Sequence, residues 1–518
     1  MDKRSSGVLL HPSSLPGRFG SGDFGPESRH FVDWLAGAGQ HFWQVLPFAP
    51  PGSGNSPYMS MSTLAGDPML VSPENLVAQG LLPASHLETW VGSADSAPEK
   101  IDFLASGTFR RQALSDAFRR FDSKGADNSA DYVEALDKSF ASWCADNAWW
   151  APDYALYMSI SDAHDGQTWQ SWPLELRARQ ANAISAAQQQ YATQIRFWLF
   201  VQWQFDRQWQ EIRQYAAERN VQIIGDMPIY CALDSVDVWQ NPSLFQLDAS
   251  LMPTLVAGVP PDYFSDTGQL WGNPLYHWPA HRQENFQWWV ARMRRAMQHA
   301  DIVRIDHFRA MAQYWAVPAD AATAIDGQWL DGPGKELFDQ LANELGGLPI
   351  IAEDLGVITP DVTELRDAIG LPGMCVLQFA FGGVAENRYA PHNLASDCVL
   401  YTGTHDNNTS QGWYQDLADH ERAVVQTYLK SDGHEIHWDL IHAASGSVAT
   451  TAIYPMQDIL GLGSECRTNT PGESAGQWSW RLTWDQVAPW HAERLRAISE
   501  IHGRHPPMTV QKTSNKPG

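Results

Sequence analysis

The sequence predicts a (β/α)8 barrel, an α/β fold in which eight parallel strands alternate with helices. Eight apolar runs of strand length occur along the chain, and most lack the polar–apolar alternation of strands with one exposed face. Helical stretches lie between many of these runs, an order that favours a parallel sheet. The alternative is an open doubly wound sheet, but no GxGxxG turn follows the first run.

Three of the eight runs end in carboxylates: at Asp306, at Glu353 with Asp354, and at Asp406. The runs predicted to form the barrel strands are, in chain order, residues 7–11, 41–48, 221–230, 301–306, 348–354, 374–381, 398–406 and 448–456. The carboxyl ends of barrel strands converge on one face, which holds the active site. We therefore expect the three acidic ends to form one site.

Two connections are too long to be single helices. Residues 70–190 are predicted to form a largely helical insertion after the second strand. Residues 232–278 are rich in Pro, Gly and aromatic side chains and are predicted to form a lid or substrate-binding loop after the third strand. Residues 1–510 are expected to form a single catalytic domain, and the polar, Pro-containing residues 505–518 a disordered tail.

Charge and cysteine content limit the possible partners and compartments. The chain has 518 residues and a formal net charge of −24, which disfavours nucleic acid and anionic membranes as partners. Its five cysteines form no CxxC pair, so we expect reduced thiols. The sequence has no secretory signal and no apolar run of about 18 residues that could span a membrane. These features predict a soluble cytoplasmic protein.

Tryptophan is the compositional outlier, with 24 copies. Flat aromatic rings pack well against the C–H faces of sugars, while the indole N–H can bond a hydroxyl. Abundant tryptophan together with an acidic balance is typical of a carbohydrate-binding protein, although core packing accounts for most individual tryptophans.

The first two acidic strand ends each have a chemical and a structural interpretation. Arg304 and Asp306 share one strand face, so the guanidinium should keep the carboxylate ionised, as a nucleophile requires; a structural ion pair is the alternative. A carboxyl at the end of an apolar strand has a raised pKa and can donate a proton, as Glu353 would. Its neighbour Asp354 points to the opposite strand face, so only one of the two acids is expected to enter the site. The other could cap the next helix, and the sequence does not decide which is which.

The remaining polar candidates have similar pairs of interpretations. His405 and Asp406 could hold hydroxyls and stabilise positive charge, or form a polar loop that caps itself. Asp226 ends the third strand, and Tyr58 lies in a loop of small residues; both could contact a ligand, or merely cap a turn and pack. Together, the acidic ends match a retaining glycosidase-type mechanism, with nucleophile and acid roughly 5–5.5 Å apart. A metal site is disfavoured because neither HxH nor HExxH occurs.

Eight segments carry a resemblance that runs in order from about residue 7 to about residue 500: HPSSLPGRFGSGDFG, NSPYMSMSTLAGDPML, GDMPIYCALDSVDVW, GVPPDYFSDTGQLWGNPLYHW, VRIDHFR, IIAEDLG, TGTHDNNT and RTNTPG. They closely resemble the amylomaltases, the 4-α-glucanotransferases of glycoside hydrolase family 77. The resemblance implies a barrel with inserted subdomains and no C-terminal β-sandwich. It also implies transfer of an α-1,4-glucan segment to the 4-hydroxyl of another glucan or of glucose, with no metal or cofactor.

By motif match, the resemblance implies that Asp306 is the nucleophile, Glu353 the general acid/base and Asp406 the transition-state stabiliser. The substrate-binding residues that it implies are Tyr58, Asp226, Gln269, Trp271, Asn273, Arg304, His307, His405 and Asn469. The matching lid segment also contains Asp262, Tyr263 and Phe264. Many relatives have Met where this chain has Thr468, a departure beside the site but not at a catalytic position.

An α-glucan hydrolase that uses the same carboxylates is the alternative activity. A non-catalytic glucan-binding protein and a metal-dependent barrel hydrolase are more distant alternatives. The expected partners are α-1,4-glucans (maltooligosaccharides, amylose and glycogen-derived dextrins) and glucose. The sequence leaves open whether the protein is a monomer or a homodimer.

Overall fold

Eight parallel strands close into a barrel in the computed structural model, which describes residues 3–94, 96–124, 130–261, 265–473 and 476–505. In order around the barrel they are β1 (Ser5–Leu9), β2 (Phe42–Gln44), β3 (Gln222–Met227), β4 (Ile302–Ile305), β5 (Ile350–Ala352), β6 (Gly373–Val376), β7 (Cys398–Tyr401) and β8 (Thr451–Pro455). The pairing of β1 with both β2 and β8 closes the ring. Each strand overlaps one of the predicted runs, and the predicted fold class is confirmed.

Apolar side chains on both faces explain why these runs become barrel strands. All residues of β4 and of β7 are buried. Arg304 interrupts the apolar pattern of β4, although its side chain is only 4% exposed. The barrel interior is filled by Leu9, Phe42, Leu46, Ile224, Ile302, Ile351, Met374, Val376, Val399, Tyr401 and Ile453.

Helices surround the barrel and fill the long connection between β2 and β3. Their bounds are α1 Pro26–Gly37, α2 Pro73–Ala78, α3 Phe103–Asp122, α4 Ala130–Asp146, α5 Ala151–Ala163, α6 Leu174–Arg177, α7 Ala181–Gln190, α8 Ala192–Ala217, α9 Val236–Gln240, α10 Trp278–Gln283, α11 Gln287–His299, α12 Lys335–Leu345, α13 Pro360–Ile369, α14 Ser410–Asp416, α15 Asp419–Leu429, α16 Ile436–Gly446, α17 Met456–Leu460 and α18 Pro489–Ile501.

The connection between β2 and β3 is helical from α2 to α8. The long helix α8 leads directly into β3 and is anchored to the neighbouring α11 by Trp209, whose indole N–H donates to the carbonyl of His299 at 2.9 Å. Many tryptophans serve this packing role. Those that are almost completely buried include Trp43, Trp169, Trp203, Trp209, Trp239, Trp289 and Trp438.

A second, antiparallel sheet stands beside the barrel and was not predicted. Its strands, in spatial order, are Gln269–Pro274, Leu255–Val259, Gln313–Pro318 and Gln328–Asp331. Residues 232–278 were predicted as a loop, but their described part contains α9 and two of these strands. A small apolar cluster of Val256, Val317 and Ala324 holds the sheet together. Because the sheet joins segments before and after β4, its pairing is non-local, and a local sequence pattern does not reveal it.

Three further expectations concern the whole chain. The five cysteines are free thiols. None of the helices in the described ranges combines the length and the apolarity needed to cross a membrane. The tail predicted at 505–518 lies outside the described residues, apart from His505.

Candidate active site

The three predicted carboxylates lie at the carboxyl end of the barrel. Asp306 directly follows β4, Glu353 directly follows β5, and Asp406 lies in the segment that follows β7. Each interacts electrostatically with the Arg304 guanidinium, which places all three around one cation. The parallel strands therefore bring these separate acidic ends together, as the barrel geometry predicts.

Arg304 connects two carboxylates at the base of the site. Its Nη1 lies 2.7 Å from both carboxylate oxygens of Asp226, and its Nη2 lies 3.1 Å from Oδ1 of Asp306. The Tyr58 hydroxyl donates to Oδ2 of Asp226 at 2.6 Å. Burial raises the pKa of Asp306 to about 6, an effect that Arg304 opposes and that Asp226 reinforces. The Asp306 carboxylate is therefore ionised at neutral pH, with one oxygen held by a buried guanidinium.

Glu353 is held by the backbone of the two strand ends. Its Oε2 accepts the N–H of His307 at 2.6 Å, and its Oε1 accepts the N–H of Leu355 at 3.0 Å. His307 adopts a left-handed backbone conformation, with φ of 48°, where the chain turns out of β4. Burial raises the pKa of Glu353 to about 8, and the nearby charge of Asp306 acts in the same direction. Glu353 therefore retains its proton at neutral pH.

Asp354 points away from the site. Its Oδ2 accepts from Arg366 at 2.7 Å, and its Oδ1 accepts the N–H of Met374 at 2.7 Å. The side chain is 1% exposed. This carboxylate joins the end of β5 to β6 and to α13, whereas its neighbour Glu353 faces the other strand-end carboxylates. The two adjacent acids thus occupy opposite faces, a geometry that leaves only Glu353 in the site.

Asp406 is held by two neighbouring side chains, one at each carboxylate oxygen. Oδ1 accepts from the Asn469 amide at 2.6 Å, and Oδ2 lies 3.2 Å from Nε2 of His405. Burial acts to raise the pKa of Asp406, but His405 and Asn469 outweigh it and lower the pKa to about 2. The same contact raises the pKa of His405, against the effect of its own burial. Asp406 is therefore an anion over the whole neutral range.

Asp458 holds both ends of the segment that carries Asp406. This carboxylate, 1% exposed, follows β8 in α17. It accepts from the Thr402 hydroxyl at 2.6 Å, and from the N–H and hydroxyl of Ser410 at 2.7 and 2.8 Å. Residues 402 and 410 bracket the segment that contains His405 and Asp406. The sequence alone does not reveal this role of Asp458, because only the closed barrel brings β8 beside β7.

Replacing Asp458 by alanine is expected to loosen this segment. Each buried donor that loses its acceptor costs about 1–3 kcal/mol, so calorimetry should show a lower melting temperature. The turnover rate should also fall, because Asp406 is no longer held in place. Asp248→Ala is the control, since that exposed carboxylate likewise holds its own segment, by accepting two backbone N–H groups, but lies outside the site. Equal effects of the two substitutions on turnover would contradict this role.

The other predicted binding residues divide between the rim and the support of the site. The Trp271 ring packs edge-on against the His307 ring, with centroids 4.8 Å apart, and its indole N–H donates to Gln269 at 3.1 Å. Burial lowers the pKa of His307 to about 3, so the imidazole is neutral. Asn273 is buried, and its amide donates to the carbonyl of Cys231 at 3.0 Å, which anchors the antiparallel hairpin to the segment after β3.

Tyr58 contributes both its hydroxyl and its ring. The hydroxyl bonds Asp226, and the ring stacks on His405 with centroids 5.1 Å apart and an interplanar angle of 16°. The predicted lid residues Asp262, Tyr263 and Phe264 lie outside the described residues. Thr468 accepts from the Gln457 amide through its hydroxyl at 2.9 Å, so the polar residue at this position is bonded within the site wall.

The arrangement, a (β/α)8 barrel with one ionised and one protonated carboxyl group at the carboxyl ends of its strands, is typical of enzymes that act on glycosidic bonds. The chain belongs to glycoside hydrolase family 77, the 4-alpha-glucanotransferases, whose sequence profile matches residues 10–486. It is a 4-α-glucanotransferase, as the sequence analysis predicted, and the alternative of an α-glucan hydrolase is not favoured.

Individual relatives agree with this assignment over almost the full chain. The chain is 46% identical to the 4-alpha-glucanotransferase of Synechocystis over 97% of its own length and 99% of the relative's. It is 44% identical to that of Thermus thermophilus, again over 97% and 99%. Among solved structures, the amylomaltase from Streptococcus agalactiae in complex with acarbose is 35% identical, with coverage of 97% and 100% and a TM-score of 0.92.

Proposed function

We propose that Asp306 is the nucleophile, Glu353 the general acid/base and Asp406 the charge-stabilising anion of glucan transfer. The observation that carries this proposal is the difference between the first two carboxyl groups. Burial raises the pKa of Glu353 to about 8, whereas that of Asp306 is about 6. Near pH 7, one group therefore has a proton to donate while the other has a lone pair to attack with.

In the first half-reaction, an oxygen of Asp306 attacks the anomeric carbon of the donor glucan. The bond between that carbon and the leaving glycosidic oxygen breaks, and the proton of Glu353 moves to this oxygen. In the second half-reaction, the acceptor's 4-hydroxyl attacks the same carbon, and its proton returns to Glu353. The bond to Asp306 breaks, so both groups recover their starting states and no oxidant, reductant or other group is consumed.

Asp406 has a different task because it remains ionised throughout. With Asn469 and His405 holding its two oxygens, the carboxylate is fixed before the substrate arrives. A fixed anion stabilises the positive charge that develops on the sugar ring at both transition states. Arg304 holds Asp306 and is itself held by Asp226, which accepts a hydrogen bond from the Tyr58 hydroxyl.

Transfer rather than hydrolysis requires that a sugar hydroxyl, not water, meets the glycosyl-enzyme. The hairpin formed by Leu255–Val259 and Gln269–Pro274 brings Trp271 against His307, beside the strand end that carries Asp306. Asn273 anchors this hairpin to the body of the enzyme. Bound glucan between the hairpin and the barrel displaces water and presents a 4-hydroxyl in its place.

The substrates we propose are α-1,4-glucans, namely maltooligosaccharides, amylose and glycogen-derived dextrins, with glucose as the smallest acceptor. The relatives from Synechocystis and Thermus thermophilus support this class, since they are 4-alpha-glucanotransferases. The free state of the five thiols supports a reducing compartment, and we propose the cytoplasm.

Maltotriose tests the reaction directly. We expect glucose and a series of longer oligosaccharides to form while the total number of reducing ends stays constant. Rising reducing ends would mean that water is the acceptor and would contradict transfer. Maltotriose that remains unconverted would indicate a binding protein without activity.

The pH dependence follows from the two carboxyl groups. As pH falls through about 6, Asp306 is protonated and cannot attack; as pH rises through about 8, Glu353 loses the proton that it must donate. The value of kcat/KM for maltotriose should therefore be bell-shaped, with its maximum near neutral pH. A value that still rises above pH 8 would contradict the assignment of Glu353 as the acid.

A further inference from the structure

Trp478 lies beside the site without a role so far. Its ring centroid is 5.7 Å from that of Tyr58 and 5.7 Å from that of His405, with interplanar angles of 37° to both. The same loop supplies Asn469, which binds Asp406. One loop after β8 therefore delivers both a partner for a carboxylate and an aromatic ring to the same side of the site.

The Trp478 indole also contacts the apolar side chains of the barrel interior. Trp478 is half-buried and packs on the apolar cluster that fills the barrel interior, together with Leu355 and Phe379. The cluster ends at the carboxyl ends of the strands, where the carboxylates begin. Trp478 thus forms part of an apolar surface directly beside polar groups. A pyranose ring fits such a surface, because its C–H face is apolar and the hydroxyls at its edge form hydrogen bonds.

The backbone at this residue adopts a conformation that bulky side chains rarely take. Trp478 has φ of 62°, in the left-handed region, and its N–H donates to the carbonyl of Thr468 at 2.7 Å. For a large aromatic residue this conformation is a genuine outlier, and such outliers cluster at functional sites. Trp480, two residues later, is 4% exposed and belongs to the core, so the two tryptophans of this loop differ in exposure.

We propose that Trp478 is a sugar-contact residue whose indole packs against the C–H face of a glucosyl unit bound beside His405 and Asp406. The proposal rests on the function proposed above and adds a subsite residue to it. With Trp271 against His307 and Trp478 against His405, each histidine of the site has an indole beside it. The glucan chain then meets an aromatic ring at the side of Asp306 and another at the side of Asp406.

Fluorine NMR on protein labelled with 5-fluorotryptophan tests the contact directly. The Asp306→Asn variant serves as the host, because it can hold maltoheptaose without turning it over, and Trp478→Phe in that host assigns the resonance. We expect the Trp478 signal to move on titration with maltoheptaose and to saturate with the binding isotherm measured by calorimetry. A Trp478 signal that stays in place while the glucan binds would overturn the proposal.

Affinity provides the second measurement, in the same host. Trp478→Leu keeps an apolar side chain on the barrel interior but removes the flat ring, so Kd for maltoheptaose should rise roughly three- to tenfold. Trp478→Phe should stay within about twofold of the host, because it keeps a ring. Trp149→Leu is the control, since that tryptophan is 39% exposed and lies in the turn between α4 and α5 of the helical connection. Equal Kd values for the leucine variant and the host would overturn the proposal.

The outcomes separate this proposal from the function on which it depends. If the host binds no maltoheptaose, or if Asp306→Asn still transfers glucan, the proposed function fails and the Trp478 proposal fails with it. If the host binds glucan and only the Trp478 readouts are unchanged, the function stands and the subsite residue is wrong. Melting curves of each variant show whether the loop still folds, and the fluorine signal of Trp478 in the host carries the test if the leucine variant does not fold.

Discussion

Replacing Asp306 by asparagine is expected to abolish glucan transfer while the protein still binds maltooligosaccharides. The amide cannot form the glycosyl ester, yet it has the size of the carboxylate and can accept from Arg304. The variant should also be at least as stable as the parent protein. Burial raises the pKa of Asp306 to about 6, which is above its value in the unfolded chain. The protonated form is therefore favoured by folding, and the stability that it contributes is lost as pH rises through 6. A neutral amide does not ionise and so avoids that loss at pH 7.

Glucose release from maltotriose, calorimetric binding of maltoheptaose and a melting curve at pH 7 check the three parts of this prediction. Asp331→Asn is the matched control: this exposed carboxylate accepts from Gln313 in the antiparallel sheet, and its loss should leave all three measurements near the parent values. Turnover by Asp306→Asn near the parent rate would refute the assignment of the nucleophile.

Replacing Glu353 by glutamine is expected to lower kcat for maltotriose by about 10²–10⁴, the usual contribution of a general acid. The loss should depend on the leaving group. An α-maltosyl fluoride donor releases fluoride, which needs little help from a proton, so the first half-reaction should be much less impaired. The glutamine carbonyl can still accept one of the two N–H groups of His307 and Leu355, but its amide nitrogen cannot accept the other, so the melting temperature should also fall slightly.

Asp354→Asn separates acid catalysis from support of the strand end. This neighbour loses an ion pair with Arg366, so its melting temperature should fall. Any loss of rate should be the same for maltotriose and for the fluoride donor, because no proton transfer is affected. The assignment of Glu353 would be contradicted if Glu353→Gln were slowed equally with both donors, or if Asp354→Asn showed the dependence on leaving group instead.

The barrel could be predicted from sequence because the apolar pattern that specifies each strand lies within a few consecutive residues. Runs such as Ile302–Ile305 and Cys398–Tyr401 are apolar on both faces, and closure then follows from eight such units in alternation with helices. The antiparallel sheet could not be predicted, since Leu255–Val259 pairs with Gln313–Pro318, and the helices α10 and α11 and the barrel strand β4 lie between them in the chain. Nothing in either short segment indicates its distant partner.

Within the site, too, some positions could be predicted from the local sequence, whereas others depend on distant contacts. The positions of Asp306, Glu353 and Asp406 follow from their places at strand ends, and Arg304 beside Asp306 follows from the two-residue repeat of a strand. The strand pattern alone did not choose between Glu353 and Asp354; the family resemblance implied Glu353, and the physical reason lies in Arg366 and Met374, which bind the second acid. The contacts of Asp458 and Trp478 depend on how β8 and its following loop return to β7, so they became visible only in three dimensions.

The most direct test of Asp306 as the nucleophile is the position of the covalent bond between enzyme and sugar. The Glu353→Gln enzyme is incubated with a 4-deoxy-maltosyl fluoride, which forms the glycosyl-enzyme but cannot act as its own acceptor, and is then quenched, digested and analysed by mass spectrometry. We predict that the glycosyl mass is attached to the peptide that contains Asp306, on that side chain. Attachment to Asp226, Asp406 or position 353, or no adduct despite fluoride release, would contradict the assignment of Asp306 as the nucleophile.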